Sequence, residues 1–358
     1  MVLQQFQLPI NTIWDTGRFK TDTYYWPCQS GDPSLVVLLI PGNPGAPEYY
    51  IEFLNSLREK APSNTELFAV AHLGHSNSNL PLPKTGHIFT LDDQVDHKIE
   101  LVDALNKAYP RSKLILIGHS IGSYLALHAL KAREEKVHRV YGLFPAIDNI
   151  LDSPNGHKNG WALKPRTISL LAYTVGFLSL LPFPLLVLLT RGMSGQAENE
   201  ARVTSQHFLN PSVIRNCLNM FADEGEQVLD PDDALLEKYA SRITFYYGSD
   251  DGWVPRTCYE RMRSRHPQIR AYLCEDDLPH AFVLGHGMAM AVKVATWLYE
   301  LVDESPKASG SVDVFRIDPT PKIPVCCRPP WKLGSSMGAM VAVLPITGDP
   351  GLAANDHR

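Results

Sequence analysis

Gly118-His119-Ser120-Ile121-Gly122 carries the strongest chemical signal in this 358-residue chain. The five residues directly follow an apolar, β-branched run, SKLILI, and directly precede a run with helical spacing, GSYLALHAL. The serine therefore sits where a strand turns sharply into a helix. In so tight a turn a side chain at either glycine position would strike the neighbouring strand or helix. The serine takes a strained backbone conformation that lifts its hydroxyl above the sheet edge. A serine hydroxyl is a poor nucleophile without a base, and the base needs an acid to orient it, so the pattern calls for an Asp or Glu and a His further along. Tyr247-Gly248-Ser249-Asp250-Asp251-Gly252-Trp253 ends a strand with acidic residues in a turn. Asp251, spaced G-x-x-D from Gly248, is the first choice of acid, Asp250 the near rival and Asp148 a more distant one. For the base the candidate is His280, in Asp277-Leu278-Pro279-His280-Ala281-Phe282, where Pro279 favours an extended or turn conformation suited to a loop. His286 is the fallback. His72, His75 and His119 sit near strand ends and are assigned structural roles. Leu73-Gly74-His75-Ser76-Asn77-Ser78 lacks the second glycine and the following helix, and is a decoy.

Acyl chemistry at a serine places negative charge on a carbonyl oxygen, which needs hydrogen-bond donors. One is expected from the Ile121 backbone N–H, just after the nucleophile, and the other from the loop Pro41-Gly42-Asn43-Pro44-Gly45. Asn43 is the best donor there, because Pro44 has no N–H. As a phosphate cradle the same loop fails, having neither the P-loop lysine spacing nor G-x-G-x-x-G. The chemistry calls for no cofactor. The six cysteines (28, 217, 258, 274, 326, 327) show no C-x-x-C and no zinc spacing, so reduced thiols and no structural metal are expected.

These residues have to be positioned by regular elements. Apolar runs at 34–42, 66–74, 112–120, 138–146, 242–250 and 269–275 read as buried strands, and 48–61, 94–109 and 122–132 show helical spacing. This βαβα order implies a mostly parallel sheet with helices on both faces, where ligands sit beyond the carboxyl ends of the strands. The division is an N-terminal segment 1–33, a core in two parts (34–147 and 239–304), a cap insertion over 148–238, and a tail 305–358. The tail is rich in Pro, Gly and Ser without periodicity and is expected to be disordered. A net charge of −5 with no concentrated Lys/Arg stripe gives no reason to seek nucleic acid. The start has no basic segment followed by an apolar run, and the one N-x-S/T match, Asn210-Pro211-Ser212, is disqualified by its proline.

Residues 167–190 form 24 consecutive positions without a charge. A spanning helix needs about 20 residues, but Leu181-Pro182-Phe183-Pro184 should break this one and leave about 22 Å against a core of about 30 Å. Lys164, Arg166 and Arg191 flank the segment, which fits a hairpin entering and leaving a membrane or lipid surface on the cytosolic side. The competing reading is a buried cap helix, packed closely through Ser169, Ala172, Gly176 and Ser179.

PGNPG (41–45), QVDHK (94–98), LIGHSIGSY (116–124), LFP (143–145), SPNG (153–156), TFYYGSDDGWVP (244–255) and LPHAF (278–282) together resemble the lipid droplet-associated hydrolase family of the α/β-hydrolase superfamily. The resemblance spans about residues 35–303, and SPNG is its most telling piece, because hydrolase chemistry does not demand it. It implies an α/β-hydrolase fold and an esterase-like serine hydrolase on lipid droplets and the endoplasmic reticulum, linked to neutral-lipid or sterol-ester metabolism, and it supplies no substrate; the sterol ester or acylglycerol class is the expectation for the ester cleaved. It carries the nucleophile onto Ser120, the acid onto Asp251 and the base onto His280. Two departures from the pattern are the doubled Asp250-Asp251 and the tail with Cys326-Cys327. The leading expectation is ester hydrolysis through an acyl-enzyme. The alternatives are a hydrolase scaffold that organises the droplet surface and an acyltransferase using the same triad.

Overall fold

Eight strands form one sheet among the described residues, which are 9–76 and 87–303 of a computed structural model of the chain. They are β1 (Ile10–Asp15), β2 (Lys20–Trp26), β3 (Leu35–Ile40), β4 (Thr65–Val70), β5 (Lys113–His119), β6 (Val137–Leu143), β7 (Ile243–Tyr247) and β8 (Arg270–Leu273). Their order across the sheet is β1-β2-β4-β3-β5-β6-β7-β8. From β4 to β8 all neighbours are parallel, and only β1 with β2 and β2 with β4 are antiparallel. This is the mostly parallel sheet expected from the strand and helix order, and the α/β-hydrolase architecture that the resemblance implies. The hairpin of β1 and β2 lies in the segment that the sequence reading set apart. Its outer strand is largely solvent-exposed, so it lacks the apolar run that announces a buried strand.

The helices, in chain order, are α1 (Ile51–Lys60), α2 (Leu91–Ala108), α3 (Ile121–Ala132), α4 (Pro154–Asn159), α5 (Pro165–Leu178), α6 (Phe183–Ser194), α7 (Glu198–Val203), α8 (Pro211–Gln227), α9 (Asp233–Lys238), α10 (Arg256–Arg265) and α11 (Gly287–Asp303). Because strand side chains alternate between faces, β3 feeds two cores. Val36, Leu38 and Ile40 join Leu101, Val102, Leu125 and Leu130 of α2 and α3. Leu35, Val37 and Leu39 join Phe53 and Leu57 of α1 and Val294 and Leu298 of α11. Helix α2 begins three residues earlier than its apolar spacing indicates, because Thr90 and Asp93 form a reciprocal cap at its start.

Between β6 and β7 the chain builds the cap, with α4 to α9 and a π-helical turn over Thr204–Phe208. The uncharged stretch forms two helices, α5 and α6, broken where Pro182 caps α6. No helix of the described residues is long and apolar enough to cross a membrane. Ile168, Leu171, Ala172 and Val175 are the buried stripe of α5, which packs on α8. Of the small residues expected to line that contact, Ala172 is buried and Gly176 lies close to Pro211, while Ser169 and Ser179 face outward. The opposite face presents Leu170, Tyr173, Phe177 and Leu180 at 62, 71, 72 and 78 % exposure, continued by Leu188 on α6 at 64 %. The segment thus has one buried face, as the cap-helix reading expects, and one exposed apolar face. The tail 305–358, with Cys326 and Cys327, lies outside the described residues.

Candidate active site

Ser120 stands between the end of β5 and the start of α3 with φ 53° and ψ −125°, a left-handed conformation costly for a residue with a β-carbon. Its two flanking glycines are required by contact. A β-carbon on Gly118 would lie 2.4 Å from the Gly122 carbonyl oxygen, and one on Gly122 only 2.2 Å from that of Ile40. The backbones of β3, β5 and α3 are therefore pressed together beneath the serine. The Ser120 N–H donates to the Leu143 carbonyl at 3.0 Å, which ties the turn to β6.

The hydroxyl faces an imidazole. His280 Nε2 lies 3.0 Å from Ser120 Oγ, and His280 Nδ1 lies 2.7 Å from Asp251 Oδ2. A carboxylate oxygen can only accept, so Nδ1 carries the proton and Nε2 turns its lone pair to the serine. All three side chains are buried. The other Asp251 oxygen accepts the Trp253 and Val254 N–H groups at 2.8 and 3.1 Å, which fixes the carboxylate in its turn. Asp250 is exposed, and Asp148 is taken up by an ion pair with Arg261, so neither rival reaches the imidazole. His286 is half-buried at the head of α11, where its backbone N–H donates to the Phe282 carbonyl.

Two motifs outside the chemistry shape the acid's surroundings. In SPNG, the Ser153 hydroxyl accepts the Gly156 N–H at 2.9 Å to cap α4, and the Asn155 N–H donates to the Gly252 carbonyl at 2.8 Å. The cap thereby clasps the turn that bears Asp251. In LFP, Phe144 takes φ 48° and packs its ring 5.8 Å from that of His280. Neither role could be read from residue types alone.

His119, assigned a structural role, links base to loop. Its Nε2 lies 2.9 Å from the His280 carbonyl oxygen and its Nδ1 2.7 Å from the Tyr50 hydroxyl. The carbonyl can only accept, so His119 Nε2–H donates to it, Nδ1 accepts the Tyr50 O–H, and the Tyr50 oxygen accepts the Gly42 N–H at 2.8 Å. Burial holds His119 down to about 3, so it stays neutral as this chain of bonds requires. The sequence reading missed Tyr50, whose aromatic helix position gives no sign of that bond. His72 and His75 are buried behind the same loop, where His75 Nδ1 lies 3.1 Å from the Gly45 nitrogen and accepts its N–H.

That loop passes close to the serine, since a β-carbon on Gly42 would be 3.1 Å from Ser120 Cβ. Gly42, Asn43 and Pro44 line a cleft of about 540 Å³, counting its open mouth, together with Ser120 and His280. Ile121 is the first residue of α3, so its N–H belongs to the group that a helix leaves without an internal partner. The Asn43 side chain turns away from the serine, and its Nδ2 donates to the Cys217 carbonyl at 2.9 Å and to Glu224 Oε1 at 3.1 Å. The cap closes the cleft through Thr204 and Phe208 of the π-helical turn. Tyr49 lies 2.5 Å from Thr204 by its hydroxyl and stacks on Phe208 at 5.5 Å. Among the described residues no group of three or more His, Cys, Asp or Glu side chains could hold a metal ion.

A family model described as lipid-droplet associated hydrolase matches residues 33–283. The chain is 32 % identical over 282 residues to the lipid droplet-associated hydrolase of Mus musculus, an alignment covering 74 % of this chain and 85 % of that protein. Among solved structures, a serine hydrolase from Cycloclasticus zankles is similar with a TM-score of 0.55 at 16 % identity, over 83 % of this chain and 100 % of its own. A membrane phospholipase A described as a bacterial virulence factor has a TM-score of 0.59 at 14 % identity, over 84 % and 88 %. These two likenesses concern the fold.

The crowding at the serine turn has a measurable consequence. Gly122→Ala should destabilise the protein by at least about 1–3 kcal/mol, because backbone must move to admit the methyl group. Gly192→Ala, on an exposed stretch of α6 with nothing within 4 Å of the new atom, should raise stability by up to about 1 kcal/mol. Denaturant unfolding of the two variants checks both signs. Equal small effects would contradict the packing described.

Proposed function

Because this chain belongs to the lipid-droplet associated hydrolase family, we propose that it cleaves carboxylic esters of apolar lipids, of the sterol ester or acylglycerol class, through an acyl-enzyme on Ser120. The observation that carries the reading is the single imidazole that touches both Ser120 Oγ and Asp251 Oδ2 inside a cleft roofed by the cap. His280 Nε2 takes the serine proton as Oγ bonds to the ester carbonyl carbon. The carbonyl oxygen becomes an oxyanion facing the Asn43 and Ile121 N–H groups. The imidazolium, stabilised by Asp251, then protonates the departing alcohol oxygen as its bond to carbon breaks, and the acyl group stays on Oγ. Water enters, gives its proton to Nε2 and its oxygen to the acyl carbon, and the acid leaves as the proton returns to Oγ. No cofactor enters these steps. An alcohol in place of water would turn the same residues to acyl transfer.

The outward face of α5 and α6 supports binding to a droplet monolayer or to the endoplasmic reticulum membrane from its cytosolic side. Leu170, Tyr173 and Phe177 lie together on one side of α5, and with Leu180 and Leu188 they leave large apolar side chains exposed, which soluble proteins rarely do without a use. The helices are too short to span, so in this reading they lie on or dip into the lipid surface and hold the cleft at the source of apolar substrate. The same face also favours a second reading, a scaffold that organises the droplet surface. If a Ser120→Ala protein restored every phenotype of a deletion strain, the scaffold reading would prevail.

On 4-nitrophenyl butyrate, Ser120→Ala should lower kcat by at least about 10³-fold. Asp251→Asn should lower it by about 10³- to 10⁴-fold, because its amide would donate to Nδ1 and reverse the tautomer. Rates near wild type in either folded variant would contradict the mechanism. For the surface, Leu170→Ser, Tyr173→Ser, Phe177→Ser and Leu180→Ser combined should abolish co-flotation with triolein droplets coated in phosphatidylcholine while leaving hydrolysis of the soluble ester intact. These positions spare the buried stripe of α5, which a deletion of 167–190 would remove together with part of the core. Undiminished flotation would overturn the lipid-contact role.

A further inference from the structure

Asn43 is held by one helix of the cap. Cys217 and Glu224 lie seven residues apart on the same face of α8, and they supply the two acceptors for Asn43 Nδ2, at 2.9 and 3.1 Å. The contact joins residues 181 apart in sequence and links the cap to the loop after β3, which borders the serine. Glu224 is 1 % exposed. Among the described residues it has no ion-pair partner, and a carboxyl group buried without one is costly, an arrangement that calls for a use beyond packing.

We propose that Glu224 is a positioning residue for the oxyanion site. By fixing the Asn43 side chain to the cap, it holds the Gly42–Gly45 backbone at the distance from Ser120 at which the Asn43 N–H meets the developing charge. The proposal rests on the ester-hydrolase reading given above and adds to it a role for the cap in the chemical step. The carboxyl acts as an uncharged acceptor. Burial pushes Glu224 up to about 8, with the Asn43 hydrogen bond pulling it down and Asp223 adding to the rise. The titratable groups packed around it are Asp223 on its own helix, the Cys217 thiol, which burial raises, and His75 beside Cys217 with Lys98 of α2 behind. Burial holds His75 down to about 3, so it brings no positive charge to offset a Glu224 carboxylate, and burial also depresses Lys98. Ionised Glu224 would place an unbalanced negative charge next to a site that must stabilise another, and catalysis should slow.

The linkage sign follows from the same shift. A folded-state value raised from 4.5 to about 8 means that this group's stabilisation is complete below the unfolded value and is lost as pH rises through 8. Glu224→Gln keeps the acceptor and removes the ionisation. Its unfolding temperature should therefore gain on wild type between pH 5 and pH 9.

The test is a pH series of kcat and KM for 4-nitrophenyl butyrate on the full chain, comparing wild type with Glu224→Gln, Glu224→Ala, Asn43→Ala, the double alanine variant and Ser120→Ala. Glu224→Gln should match wild type at pH 7 and lack the decline in kcat that wild type shows above pH 8. Glu224→Ala and Asn43→Ala should each lower kcat about tenfold or more with little change in KM. The double variant should be no slower than the slower single one, because both changes release the same loop. Three outcomes would overturn the proposal with Ser120→Ala still inactive: a kcat in Glu224→Ala equal to wild type, a Glu224→Gln profile that keeps the alkaline decline, or single losses that multiply in the double variant. In each case the ester-hydrolase reading would stand. Wild-type rates in Ser120→Ala would instead remove that reading, and the Glu224 role with it.

Discussion

The imidazole of His280 lies within hydrogen-bond distance of groups from two other strand ends, and its own backbone carbonyl is held by the histidine that precedes Ser120. That junction can exist because the serine is raised out of a turn in which three backbone segments meet with no room for a β-carbon at Gly118 or Gly122. A left-handed serine is unfavourable in isolation. Its N–H bond to Leu143 and the packing of β3, β5 and α3 hold it there. The strain and the chemistry have one origin, since a relaxed turn would drop the hydroxyl back toward the sheet.

Much of this was legible in residue types. The glycine spacing around Ser120, the acidic turn after a strand and the histidine after the last strand each follow from local rules, and the apolar runs gave the parallel part of the sheet. Other features depend on what faces what across the fold. Strands β1 and β2 have no buried alternation, so their pairing shows only in three dimensions. Asp251 and Asp250 are adjacent in sequence and differ only in which one the turn directs inward. His119, Tyr50 and Glu224 are ordinary positions in a strand and two helices until the fold brings their polar atoms onto the His280 carbonyl, the Gly42 N–H and Asn43.

The cap has two faces with separate demands. Inward, α8 and the π-helical turn reach the oxyanion loop and the cleft, and SPNG clasps the acid's turn. Outward, α5 and α6 present apolar side chains at high exposure. A charge-free stretch of 24 residues reads from sequence as a candidate for a membrane, yet seven of its residues, among them Ile168, Leu171, Val175 and Leu186, are buried. The proline break divides it into two short helices, neither long and apolar enough to cross a membrane. Through the packing of α5 on α8, the helix that bears this exposed apolar face is joined to the one that holds Asn43.

The mechanism stands or falls with Ser120 as a nucleophile activated by His280. The most direct measurement is intact-mass analysis of the folded protein after treatment with a long-chain alkyl fluorophosphonate, followed by peptide mapping. The account predicts one phosphonyl group, on Ser120, with no such adduct on the folded His280→Ala protein in the same time. A folded, droplet-bound protein that acquires no adduct, or acquires it at another residue, would contradict the claim.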